Sequence, residues 1–178
     1  MTIPIINSSK LTAAEKILWR NGILVPSDID LEAIAYGLGA SIRYRALDGC
    51  EARLVADHDK AIITVNSKNI ATRQRFSIAH ELGHMELDRG RGGFLCSKDD
   101  ISPQNDAGRS AESAANDFAS QLILPDYIFL PYSQGKQISI DSAEKIGAEF
   151  KASITATLIK LVRRAMIPAW VVCHKQRG

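Results

Sequence analysis

Arg75-Phe76-Ser77-Ile78-Ala79-His80-Glu81-Leu82-Gly83-His84 contains no proline and carries its apolar residues at helical spacing. On a helix of 3.6 residues per turn, positions i and i+4 share a face, so His80 and His84 can aim both imidazoles at one metal ion. Glu81 then lies beside that ion, where a carboxylate can take a proton from a bound water. Phe76, Ala79, Gly83 and Leu87 fall on the stripe of the histidines, and Ile78, Leu82 and Met85 on the next. This predicts a helix over about 69–88 that is buried on two sides. Gly83 costs about 1 kcal/mol against alanine in a helix interior. Its presence anticipates another backbone passing close to the metal face.

The chain around this segment has 178 residues, 46% apolar and 24% charged, with a formal charge of +2. Those figures suit one domain over 1–178 and supply no general attraction to nucleic acid or anionic membranes. No apolar run has the length to span a bilayer. The opening MTIPIINSSKLTAAEK lacks the pattern of a secretory signal. Cys50, Cys96 and Cys173 are odd in number and scattered, as in proteins of a reducing compartment, so a cytoplasmic location is expected.

Thr12 and Glu15 make a capping-box pattern ahead of a helix over 13–20, stopped by Asn21-Gly22. Asp30 precedes a second, with Leu31, Ile34, Ala35 and Leu38 on one face. Short runs over 41–47, 51–56 and 60–66, separated by Asp48-Gly49 and His58-Asp59, read as a three-stranded antiparallel meander. After the histidine helix comes a stretch over 89–109 rich in Gly, Ser, Asp and Asn, long enough to suggest a lid. Helices follow over 110–122, from an Asp141/Glu144 capping pattern to Phe150, and over 153–165. Pro168 to Cys173 reads as a final strand. The fold class expected is α+β: a small antiparallel sheet on a mostly helical, zincin-like body.

A catalytic zinc site uses three protein ligands and one open position. Asp88 fails as the third, because helix rise puts it about 6 Å beyond His84 and about 12 Å from His80. Glu112 is the better candidate. It sits among Ser110, Ala111, Ser113, Ala114 and Ala115, small residues that permit tight packing against the Gly83 face. A lone glutamate on a helix is ordinarily solvated, but an incomplete metal site shifts the balance towards ligation.

Arg75-Phe76, then His80 to His84, then Glu112, Ala115-Asn116 and Phe118-Ala119 resemble the ImmA/IrrE metallopeptidases, which pair RF-x-x-AHELGH with E-x-x-AN-x-FA-x-x-LLMP. Leu124 replaces the usual methionine before Pro125, and the similarity covers about three-quarters of the chain. The resemblance implies that His80, His84 and Glu112 bind zinc and that Glu81 is the general base. It also implies a substrate among helix-turn-helix repressors or antitoxins, in mobile-element, stress-response or toxin–antitoxin settings. A non-proteolytic partner of such a repressor, retaining the metal site, is the alternative.

Several further positions carry expectations. A substrate peptide could add as a strand along Ile63, Thr64, Val65 and Asn66, immediately before the metal helix. Tyr127, Tyr132 and His174 are candidate donors to the reaction's oxyanion. His58 reads as a solvated turn residue, and Cys96 as a free thiol. Cys173 and His174 would point to opposite faces of a strand and so not share an ion. The helix pair within 139–165 resembles a helix-turn-helix, with Lys160, Arg163 and Arg164 adding charge. The near-neutral chain favours a structural pair over a DNA reader.

Overall fold

The computed structural model describes residues 6–57, 60–87, 106–165 and 168–172. His58, Asp88, Cys96, Cys173, His174 and residues 89–105 lie outside them. The elements run α1 (Ala13–Arg20), α2 (Leu31–Gly37), β1 (Ala40–Arg45), β2 (Ala52–Asp57), β3 (Lys60–Asn66), α3 (Ala71–Leu87), α4 (Asp106–Ile123), α5 (Asp126–Ser133), α6 (Ile140–Phe150) and α7 (Ile154–Arg163). The fold is α+β, as expected.

The sheet departs from a meander. Its order is β1-β3-β2, with β1 parallel and β2 antiparallel to β3. The segment around Asp48-Gly49 is therefore no hairpin turn. It crosses the end of β3 to reach the far side, a span of two strand spacings or about 9.6 Å. Asn66 holds this crossing in place. Its Nδ2 donates to the carbonyls of Leu47 (2.8 Å) and Cys50 (3.1 Å), and its Oδ1 accepts from the amides of Leu47 (3.3 Å) and Lys68 (3.1 Å). Both donors and both lone pairs of one buried amide are thus used.

One face of the sheet, with Ala40, Leu54, Ala61, Ile63 and Val65 buried, belongs to the core; Ser41, Arg43, Arg53 and Val55 on the other are exposed. Helix α3 contacts β2 and β3 on one side and α4 on the other. That explains why Ile78, Ala79, Leu82, Gly83, His84 and Met85 are all buried. Two local expectations are corrected. Helix α6 is capped by Ser139, whose side chain accepts from the Ser142 amide, while Asp141 instead pairs with Lys145 one turn on. Residues 168–172 form no strand, and Trp170 is 91% exposed.

Charged groups tie the first helix to the last. Glu15 closes the expected capping box, accepting the Thr12 amide at 2.9 Å, and also accepts the Asp126 amide at the start of α5 at 2.7 Å. Asp126 in turn meets the Lys160 ammonium at 2.8 Å and the Arg164 guanidinium, while Gln121 bridges Lys160 and Asp126. Burial alone would raise the Asp126 pKa. Hydrogen bonds and charge from Lys160, then Arg164 and Gln121, outweigh it and hold the carboxyl below its ordinary 3.8.

Removing one partner of a buried ion pair costs about 3–5 kcal/mol, so Asp126→Asn should lose about 3 kcal/mol in a urea titration. The low end is expected because the Asp126 side chain keeps 20% of its exposure against 4% for Lys160. A depressed native pKa stabilises fully above the unfolded value and progressively less as pH falls below it. The gap between variant and wild type should therefore close in acid below 3.8.

Candidate metal centre

A short link carries the chain from β3 into α3, and Gln74 secures it by donating to the carbonyls of Asn66 and Ser67. The histidines are thereby placed at a fixed distance from the central strand. Beside them, α4 approaches without an intervening side chain. A Cβ at Gly83 would stand 3.1 Å from both the Cα and the carbonyl oxygen of Ala115, and 3.3 Å from the Phe118 Cβ. The close approach anticipated from Gly83 is present, and it brings Glu112, one turn before Ala115, over the histidine face.

His80, His84 and Glu112 converge. The two Nε2 atoms are 3.1 Å apart, and the Glu112 oxygens lie 3.4 Å from His80 Nε2 and 3.2 Å from His84 Nε2. A tetrahedral zinc with bonds of about 2.0–2.1 Å has ligand–ligand edges of about 3.3 Å. The trio therefore has the size of one face of a zinc coordination shell, and its donors are those zinc takes. Glu112 is 41% exposed and His84 only 6%, so the glutamate lies nearer the solvent than the histidine beside it. Glu81 is buried and stands outside the converging trio, which suits a base better than a ligand.

Two side chains that the sequence marked only as part of a helical stripe or motif, with no role at the site, complete the surroundings of His80. Asn116 places its Oδ1 3.1 Å from His80 Nδ1, so the ring donates there and leaves its Nε2 lone pair for an ion. Phe76 stacks on the same ring at 6.2 Å between centroids. Burial and the neighbouring His84 lower the His80 pKa against the pull of Glu112 and the Asn116 bond. The ring is thereby biased to the neutral form that ligates. Asn116 was findable in principle, since it lies one turn beyond Glu112 on the same helical face.

The profile of the IrrE N-terminal-like domain, a peptidase family, matches residues 37–162. The chain belongs to this family. The match runs from the end of α2 through all but the last residue of α7 and includes all three converging residues, and the family points to a metallopeptidase. No curated protein matches the chain significantly. Among solved structures, a Mycobacterium tuberculosis transcriptional regulator is similar with a TM-score of 0.60 at 21% identity, covering 84% of this chain and 45% of that one. The likeness is one of fold, and the chain spans less than half the regulator's length.

Other expected positions fall elsewhere. Ile63, Thr64, Val65 and Asn66 lie in β3, the central strand, whose backbone pairs with β1 on one side and β2 on the other. That strand has no free edge to receive a peptide, and Asn66 is committed to the crossing loop. The Tyr127 hydroxyl donates to the Ile23 carbonyl at 2.6 Å. The Tyr132 ring packs on Phe150 under the Lys136 ammonium.

Two substitutions test this geometry. Losing a group that orients a metal ligand costs about 10–100-fold in affinity, and Asn116→Ala should show that loss in a competitive zinc titration. Gly83→Ala offers about 1 kcal/mol of helix propensity against about 1–3 kcal/mol of overpacking. Because the obstructing atoms are backbone, thermal melts should show a net loss where helix propensity alone demands a gain.

Proposed function

We propose that this protein is a zinc endopeptidase of the cytoplasm whose substrate is a specific regulatory protein, a helix-turn-helix repressor or antitoxin. The observation that carries the chemistry is the 3.1–3.4 Å convergence of His80, His84 and Glu112 beside a buried Glu81. Zinc held by His80, His84 and Glu112 would supply a water acidified to about pKa 7 and polarise the scissile carbonyl. Glu81 accepts a proton from the attacking water as its oxygen bonds to the carbonyl carbon. It then returns the proton to the departing amine as the C–N bond breaks. Asn116 keeps the His80 ring in the ligating tautomer throughout.

The substrate backbone has one suitable edge close to α3. Strand β2 contacts α3 and, among the described residues, pairs on its outer side with no strand. The Asn66 amide donates to the Glu51 carbonyl, so alternation along the antiparallel ladder turns the backbone groups of Ala52, Leu54 and Ala56 outward. A peptide laid along them would run beside the metal helix.

The basic residues of the last helix pair support a protein-directed role over a DNA-directed one. Lys160 and Arg164 are both engaged by Asp126, and Arg163 faces Asp117 at 3.7 Å. With Lys160 and Arg164 committed to a carboxylate of the same chain, less charge is left for phosphates.

The test is incubation of the zinc-loaded protein with helix-turn-helix repressors and antitoxins from its source organism. Wild type should cut one of them and chelator should stop the reaction. Glu81→Gln should keep zinc while losing about 10²–10⁴-fold in rate, the contribution of a general base. A repressor held intact in a stable complex by wild type would establish the non-proteolytic alternative instead. Normal turnover by Glu81→Gln would remove that residue from the mechanism.

A further inference from the structure

A recess of about 460 Å³ adjoins the metal centre, walled by α3, α4, α7 and the turn before α7. Phe76 and Asn116 form its near wall, and these are the two side chains that touch His80. The recess is thus separated from a metal ligand by the thickness of one side chain. Most of its surface is apolar, with Ile123 and Leu124 buried in its lining. Its rim carries Ile70 and Ile159, which are 74% and 40% exposed despite their hydrophobicity. Pockets of about 300–1,000 Å³ hold sizeable organic groups with most of their surface covered, so a bulky side chain fits here.

The charges around the recess restrict what enters. Arg73 and Arg163 both line it, and each is held near an acidic partner, Glu51 at 3.1 Å and Asp117 at 3.7 Å. Of those partners only Asp117 lines the recess, and it is matched to Arg163. A lysine or arginine side chain would meet two guanidinium groups and, among the described residues, no unmatched carboxylate.

We propose that this recess receives a large apolar side chain of the substrate from a residue flanking the scissile bond, and that Ile70 and Ile159 set the preference. The assignment rests on the metallopeptidase reading above. An occupant of the recess touches Phe76 and Asn116, and hence the immediate neighbours of His80. The trio itself does not line the recess, but Phe76 and Asn116 join the two, so the occupant's backbone is placed close to the metal centre and next to the cleaved bond rather than several residues away.

The test uses the zinc-loaded full chain and N-acetyl amino-acid hydroxamates, in which the metal-binding group is constant and the side chain varies. Calorimetry should show the leucine and phenylalanine compounds binding roughly 10–100-fold tighter than the glycine compound, the gain expected from burying such a side chain. The lysine compound should bind no tighter than glycine. Ile159→Asp and Ile70→Asp, both at partly exposed positions, should each shrink the leucine-to-glycine ratio by at least about fivefold. Equal binding of leucine and glycine compounds by wild type overturns the assignment, as does an unchanged ratio in both variants. Failure of every hydroxamate to bind, glycine included, brings down the metallopeptidase reading and the pocket with it, a result distinct from either.

Discussion

The metal centre depends on how closely two helix backbones can approach at Gly83. Helices packed through ordinary side chains keep their axes about 8–10 Å apart. With no side chain at 83, the backbone of α4 at Ala115 comes against α3 directly, and Glu112 reaches the imidazoles without stretching. The glutamate's position is therefore a packing result as much as a sequence one. The small residues on α4 serve the same end, since a bulky side chain at 115 would undo what Gly83 permits.

Bringing two imidazole lone pairs and a carboxylate within 3.4 Å of one another has an electrostatic cost that a cation or a shared proton relieves. Metal binding at such a site is coupled to the stability of the elements that carry it. Here those elements are α3, packed between sheet and α4, and α4 itself. The Asp126 network lies on a different set of contacts, among α1, α5 and α7, with Gln121 joining from the far end of α4. Scaffold and site thus draw on separate polar groups, and the reactive face is not needed to hold the termini of the fold together.

Much of this was legible in the residues. Caps located α1 and α2 within a residue or two, because each carries its own signals, and apolar periodicity did the same for α3 and α7. The histidine pair was visible from spacing alone, and Glu112 followed once helix rise excluded Asp88. The sheet order was not legible. Alternating apolar residues identify a strand and its inner face, but they do not name its neighbours. Here the choice is made by the Asn66 amide reaching back nineteen residues to Leu47. The same blindness to distant partners misplaced the peptide edge on β3. Helix α5 passed unnoticed because Pro131 lies inside it. Asn116 and Phe76 needed the packed helices to show that they share a ring.

The double duty of Glu15 carries a consequence for how the chain reaches this state. Its carboxylate completes the box that starts α1 and also accepts the first amide of α5, across a separation of 111 residues. Contacts so distant in sequence form late and slow the search for the native state. As the chain emerges during synthesis, α1 can close its own cap early, but the second oxygen of Glu15 stays solvated until α5 is made. Helix α1 is thus held in readiness, and this contact waits on the emergence of α5.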